Sequence, residues 1–544
     1  MTELSTASVQ REAGEDEAGA LRETGSRSAD NVRLSHITRN TLLVATCFGL
    51  AAVAGLLRNI VIARAFGIGA ALDAYYAAFK LPDLLFTIVA GGALATAFIP
   101  VFADFLSSGD RTGAWRLASA ITNLVVIVVA TLAALAALAA PWLVGTLIAP
   151  GFNAAQQAET VTVMRVVLLS TIIFGISAVQ GSVLNGFKHF LLPALAPVVY
   201  PLGIVAGALL LAPSMGIVGL AIGAVIGALL HLLIKVPGLF YFGFRWWPVL
   251  DLRGPHSRPV FHVLVLMGPR VLDLAVFHLT LVATTNLASR LDSGSVSALE
   301  WGWDAMQLPE TIIGTAFGLV AFPTMAELAA QGDRSGLRRT LGETLRSVIA
   351  LSLPAAVGLI LLGRPLLATL YQRGAFDAAA TAAVYTTLRF FALGLVGHVC
   401  LELVARSFFA EKDTVTPLIV AVGFGVANVV LGLVLMGPLG AGGLALANSL
   451  AISGEVLVLM VILRRRWGQV EGRAILRSLV RVLGASLVMG MAVVVVLLGA
   501  DRAGLSGLPV LLVGGVVGVL TYVAAGLALG VQELRRLPLA LLGR

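Results

Sequence analysis

The chain has 544 residues, of which 58% are hydrophobic and only 12% charged, and its mean hydropathy is +0.95. A soluble domain covers its surface with roughly twice that charged fraction, which excludes a water-soluble enzyme. The formal net charge of +8 sits in short connections between apolar runs, where basic residues orient a membrane protein, and it implies no nucleic-acid partner.

Residues 1–38 contain QREAGEDEAGALRETGSRSADN, a stretch without apolar periodicity, and read as a disordered cytoplasmic tail too polar for a signal peptide. A spanning helix takes about 20 mainly apolar residues. Runs of this kind fall near 40–66, 73–105, 115–140, 158–185, 191–212, 217–243, 259–290, 300–328, 339–363, 379–409, 415–436, 442–464, 476–499 and 507–531, which makes fourteen. Pro82, Pro100, Pro309 and Pro323 fall inside them and predict bends, tolerated where neighbouring helices satisfy the freed backbone groups. With the chain starting inside, the inward connections carry most of the basic residues, among them Arg111, Arg116, Lys188, Arg334, Lys412 and Arg464–Arg466. The outward ones carry only Arg290, Arg364, Arg373 and Arg502. This asymmetry places both termini in the cytoplasm and requires an even number of crossings. Cys47 and Cys400 lie about 350 residues apart inside apolar runs and read as lipid-facing or packed small hydrophobes.

An internal repeat follows. KLPDLLFTIVAGGALATAFIPVFADFLSSGDRTG from Lys80 matches QLPETIIGTAFGLVAFPTMAELAAQGDRSG from Gln307, aligning Pro82 with Pro309 and Gly109-Asp110-Arg111 with Gly332-Asp333-Arg334. Phe152 pairs with Phe376, Lys188 with Lys412 and Pro193 with Pro417, an offset of about 224 residues that holds six crossings. An even number gives both halves one orientation, related by an axis along the membrane normal. The fold class is therefore all-α integral membrane, with two parallel six-helix lobes and a C-terminal helix pair. The expected divisions are an N-terminal lobe at 39–245, a linker at 246–257, a C-terminal lobe at 258–467 and a final pair with a short tail at 468–544. Facing lobes describe an alternating-access transporter with its site near the midplane. The last two runs, almost purely Leu, Val, Ala and Gly, suit either a lipid-tail groove or padding of the bundle.

Charge inside the bilayer costs about 2.5–3.5 kcal/mol on insertion scales and marks cavities or partners. Arg58 shares a helical face with Ala54, Gly55, Ile62 and Ala65, small neighbours that leave it space. Asp73, Tyr76, Lys80, Asp83, Thr87 and Gly91 form one polar stripe; Asp73 near the helix start suits the dipole, and Lys80 and Asp83 are spaced to pair with each other. Arg270 and Asp273 lie one turn apart, and Glu300, Asp304, Gln307 and Glu310 lie along one face. This leaves open an Arg270–Asp304 bridge or a site that couples transport to H⁺ or Na⁺ through Glu300, Asp304 and Glu310. His231, His278 and His398 are single and read as packed. The chain contains no P-loop, GxSxG, HExxH or cysteine-pair motif, which argues against an enzyme, a resident metal and an ATP-driven pump.

GLLRNIVIARAFGIGAALDAYYAAFKLPDLL from Gly55, followed by GGALATAFIPVFADF and by SGSVSALEWGWDAMQLPETIIGTAFG in the second half, resembles the MurJ/MviN lipid II flippases of the MOP exporter superfamily. The resemblance covers nearly everything after the tail. It implies a flippase of the bacterial cytoplasmic membrane that moves an undecaprenyl-linked peptidoglycan precursor between leaflets without a cofactor. Membrane potential or an ion gradient would drive it, and its partners would be the lipid-linked glycan, membrane lipids and cell-wall synthesis proteins. Carried over by position, Arg58 matches a family arginine and Asp73 a family aspartate, so that Arg58, Asp73, Lys80 and Arg270 are the expected cavity residues. The chain departs from the family where Ala51 and Ala52 replace a Ser-Arg pair, where Phe86 and Thr87 replace basic residues, where Gly91 replaces an acid, and where a cavity arginine falls on or beside Asp304. Three alternatives follow from these departures: another lipid-linked oligosaccharide as cargo, an H⁺- or Na⁺-coupled exporter, and a non-transporting scaffold of wall synthesis.

Overall fold

The computed structural model describes residues 43–90, 92–254, 256–468 and 471–534, and within these the side chains other than those at 89–90, 92–93, 268–270 and 272–273. The expected tail lies outside the described residues. The helices are α1 (Leu43–Phe66), α2 (Ala70–Ala90), α3 (Gly92–Ser107), α4 (Arg111–Trp142, extended by a π-helical stretch to Ile148) and α5 (Ala154–Gly186). They continue as α6 (Leu191–Met215), α7 (Ile217–Tyr241), α8 (Ser257–Ala288), α9 (Ser295–Ala330) and α10 (Arg334–Tyr371). The last five are α11 (Ala378–Ala410), α12 (Val415–Leu439), α13 (Ala441–Trp467), α14 (Gly472–Arg502) and α15 (Leu508–Ala528).

Twelve of these helices are long and apolar enough to cross a membrane. The other three are α2, charged at Asp73, Lys80 and Asp83, the short α3, and α8, whose apolar segments are short. Side by side, α2 and α3 follow the whole of α5: Gln156 Nε2 donates to the Ala70 carbonyl at 3.1 Å, Phe86 meets Phe174 at 5.6 Å, and Phe102 fills the space beside Gly186. Three contacts in the same order along both rods make α2 and α3 one crossing, and with α8 the described crossings number fourteen.

The repeat is visible in the backbone. Lys188 and Lys412 both stand in the left-handed region, at φ 60° and 63°, and Gly216 and Gly440 share φ 57°, ψ −138° and φ 56°, ψ −137°. Asp110 caps α4 through Gly113 N–H and Asp333 caps α10 through Ser335 and Gly336 N–H. Asn153 and Asp377 cap α5 and α11 in the same matched way. Each cap satisfies amides that the first helical turn leaves unpaired. In the second lobe α9 runs parallel to α11 as α2–α3 does to α5, with Thr387 Oγ1 donating to the Ala298 carbonyl at 2.7 Å. Small residues bring backbones together inside the N-terminal lobe: a Cβ on Gly203 would lie 2.3 Å from the Gly227 Cα. The final pair packs on α10, where Tyr522 donates to the Ala350 carbonyl at 2.5 Å. It turns Leu483, Leu487, Met491, Val495 and Leu498 outward as an apolar stripe.

The lobes interlock at one end of the bundle. Ala375 N–H donates to the Arg64 carbonyl at 3.0 Å, and Gly151 N–H donates to Ser289 Oγ at 3.1 Å, so each lobe's loop closes on the first helix of the other. Gly374 (φ 60°) is required there because a Cβ would lie 2.5 Å from the Arg64 carbonyl oxygen.

Candidate functional site between the lobes

Tracing α2 from the interlocked end places its polar stripe against α9. Asp73 is 1% exposed, and its carboxylate accepts from Gly294 N–H at 2.6 Å, Ser297 N–H at 2.7 Å and Ser297 Oγ–H at 2.7 Å. Gly294 is the N-cap position of α9 and has no side chain to cap with, so Asp73 caps that helix from the opposite lobe. This corrects the assignment of Asp73 to the cavity wall: its oxygens are consumed by the lobe contact. One turn on, Trp301 Nε1 donates to the Tyr76 hydroxyl at 2.8 Å. Lys80, buried, is ion-paired with Glu300. It does not pair with Asp83, as their spacing within one helix suggested; α9 presents a carboxylate directly across from it.

Beyond this pair the stripe opens. Asp83 is exposed although its neighbours Pro82 and Leu85 are buried and it lies 13 residues into a spanning helix, which places it on an open space between helices. Arg58 projects from α1 toward the same region, its Nε and Nη2 donating to Asn59 Oδ1 at 3.0 and 2.8 Å, with Tyr75, Tyr76, Tyr200 and Asp304 around it. A Cβ on Gly55, one turn away on α1, would meet nothing within 4 Å, so space is present beside the guanidinium. Asn59 lies within hydrogen-bonding reach of Asp304 and Tyr371. Thr87 Oγ1 and His278 Nε2, 2.9 Å apart, join α2 to α8 farther along.

The site thus gathers α1, α2, α6, α9 and α10 around Arg58, Asp83 and Asp304. Its described charges are Arg58 and Lys80 against Asp83, Glu300 and Asp304, two cations to three carboxylates. Arg58 keeps donors free for an anion, and its planar fork suits phosphate oxygens. Lys80 serves the Glu300 pair. Arg270 and Asp273 carry side chains outside the described residues, and the proposed Arg270–Asp304 bridge goes with them; among the described residues Asp304 has Glu300, Arg58, Lys80 and Asn59 around it. Glu310 stands apart from Glu300 and Asp304, six residues or about 9 Å farther along α9. It faces Glu402, which is held by Arg406 at 2.5 Å in room left by Gly314 and Gly318. The three acids therefore do not form one coupling site. His231 and His398 are paired with Ser177 and Asn448, and both cysteines are buried. Sequence reasoning did not single out Asn59, although it follows Arg58 in the quoted motif, nor Tyr200, Tyr371 or Glu402, which carry no local motif. Among the described residues no cluster of three or more His, Cys, Asp or Glu could hold a metal ion.

Comparison with known protein sequences gives one family. The family model described as lipid II flippase MurJ matches residues 62–512. The lipid II flippase MurJ of Burkholderia cenocepacia is 30% identical over 450 residues, 81% of this chain and 86% of that protein. The probable lipid II flippase MurJ of Rhizobium tropici is 29% identical, covering 88% and 92% of the two chains. Among solved structures, a lipid II flippase MurJ in an inward closed conformation superposes with a TM-score of 0.74 at 23% identity, over 89% of this chain and 98% of that one. An inward-facing multidrug-resistance MATE transporter of the MOP superfamily superposes at 0.67 with 17% identity, over 78% and 96%, and shares the fold. With fourteen crossings among the described residues, its paired lobes and a family match that runs from α1 into α15, the chain belongs to the lipid II flippase MurJ family.

Proposed function

We propose that this chain is a flippase that carries lipid II across the bacterial cytoplasmic membrane by alternating access of its two lobes, and that it is a transporter without enzymatic activity. The observation that carries this reading is the family match over residues 62–512 together with an open polar space between the lobes into which Arg58 projects. Arg58 holds the pyrophosphate, the tyrosines around it face the sugars, and the lipid tail stays outside the bundle along the apolar face of the final helix pair. Both termini lie in the cytoplasm, in accord with the excess of basic residues on the ends carrying Arg334, Lys412 and Arg464–Arg466. Transport runs on membrane potential or on H⁺ or Na⁺ taken up beside Asp83 and Asp304. One charge moved through 100 mV supplies about 2.3 kcal/mol, so a few charges suffice.

The test is rescue of a bacterial strain depleted of its own lipid II flippase, with membrane expression checked in parallel. The wild-type chain is expected to rescue and Arg58→Ala to fail. A well-expressed wild type that does not rescue would refute lipid II as cargo. The acidic stretch of α9, with Glu300 and Asp304 facing the space that Arg58 enters, favours, as a second reading, a different polyprenyl-linked oligosaccharide on the same fold. Failure to rescue with intact flipping of such a glycan is its expected signature.

A further inference from the structure

The repeat allows the two lobes to be compared position by position at the end opposite the interlock, and there they differ. In the N-terminal lobe Phe187 and Phe242 stack at 4.5 Å with Trp115 and Phe244 beside them. The chain after α7 then folds back over this plug: Asn123 Nδ2 donates to the Trp247 and Val249 carbonyls at 2.8 Å, and Arg116 clasps Asp251 at 2.8 Å. The residues 224 positions on from Phe187 and Phe242 are Glu411 and Arg466. Four residues, 468–471, separate α13 from α14, too few to form such a cover.

In the C-terminal lobe this place is a cleft of about 850 Å³ between the last turns of α9, α11 and α13 and the start of α10. Its apolar lining is Ala326, Ala329, Ala330, Phe409 and Trp467, and its charged lining is three cations, Arg334, Lys412 and Arg466, with one carboxylate, Glu411. Arg466 is already held by Asp413 at 2.6 Å, and Glu411 accepts from Trp467 Nε1 at 2.7 Å. Arg334 bonds a main-chain carbonyl, that of Arg466, at 3.3 Å, and among the described residues the Lys412 ammonium has no partner. Lys412 also occupies a left-handed position, φ 63°, where glycine or asparagine is the usual helix terminator. The cleft lies where the spanning helices α9, α11 and α13 end, which is the level of a membrane interface.

We propose that this cleft binds the phosphate of an anionic phospholipid headgroup in the leaflet that this end of the bundle faces, with Lys412 and Arg334 as the phosphate ligands and the alanine lining against the glycerol and upper acyl chain. Two cations that no described carboxylate neutralises select a negatively charged headgroup over a zwitterionic one, and the covered N-terminal lobe offers no equivalent site.

The experiment uses the full chain in nanodiscs of phosphatidylcholine containing a minor fraction of phosphatidylglycerol, followed by native mass spectrometry of the lipid retained on release. Wild type is expected to retain phosphatidylglycerol preferentially, and the double variant Lys412→Gln, Arg334→Gln to retain about tenfold less or lower still. Lys188→Gln, the repeat equivalent, should leave retention unchanged. Equal retention by wild type and double variant overturns the proposal, as does an equal loss with Lys188→Gln. Displacement of the lipid by millimolar inorganic phosphate would assign the site to free phosphate and overturn the lipid assignment. If the double variant melts below wild type in pure phosphatidylcholine discs, Lys412→Gln alone, on an exposed side chain, carries the comparison.

Discussion

Replacing Asp73 by asparagine changes one buried charge and almost no volume, and the structure gives the size of the effect. The carboxylate accepts three hydrogen bonds of 2.6–2.7 Å from Gly294 and Ser297 at a site 1% exposed, so water cannot replace what is lost. The amide oxygen can keep the two bonds from Ser297, but its NH₂ group then meets the Gly294 N–H, donor against donor. One lost charge-assisted bond plus one orphaned buried amide cost about 2–3 kcal/mol. Because these bonds join one lobe to the other, the cost falls on their contact, and the equilibrium constant for closing that end drops about 30- to 150-fold. The assay is electron–electron distance measurement between spin labels at Ala70 and Arg373, which are exposed on opposite lobes beside the interlock. Wild type should give one short distance and Asp73→Asn a second, longer population. An Asp73→Asn variant with the wild-type distance distribution would refute the claim that this cap holds the lobes together.

Other predictions rest on separate contacts. Glu300→Gln leaves Lys80 buried without its partner and should cost about 3–5 kcal/mol, while the paired change Lys80→Met, Glu300→Leu should recover most of it, read as melting temperatures in detergent. Gly374→Ala puts a Cβ 2.5 Å from the Arg64 carbonyl oxygen at φ 60°, and should open the interlocked end in the same distance assay without altering helix content. Asp413, outside the spans, has its acidity set against burial, which alone would raise it. Hydrogen bonds from Thr416 and Arg466 outweigh burial and draw it down to about 2. A depressed carboxylate stabilises the fold above its unfolded value and loses that contribution as pH falls through the folded one. The stability gap between wild type and Asp413→Asn should therefore be constant from pH 7 to pH 5 and shrink only as pH falls below about 4 toward 2. A gap that closed already at pH 5 would show that Arg466 is not holding this carboxylate.

The sequence by itself determined the crossings and the repeat, because these are local properties. An apolar run of sufficient length has no other way to satisfy its backbone in lipid. Asp110, Asn153, Asp333 and Asp377 mark helix starts through amides three or fewer residues away. The motif residues around Arg58 and Lys80 carried the family for the same reason. Only the tertiary structure decided what the charges do. Asp73 caps a helix whose N-cap position, Gly294, lies 221 residues later, and Lys80 chooses Glu300, 220 residues away, over Asp83 on its own helix. Spacing along one helix sets which residues share a face but not what is brought against that face. In a bilayer that second fact carries the larger energy, since each buried charge must find a partner or open onto water. It leaves Arg58 as the described cation of the cavity with donors to spare, and it makes the C-terminal cleft distinct from its sealed twin.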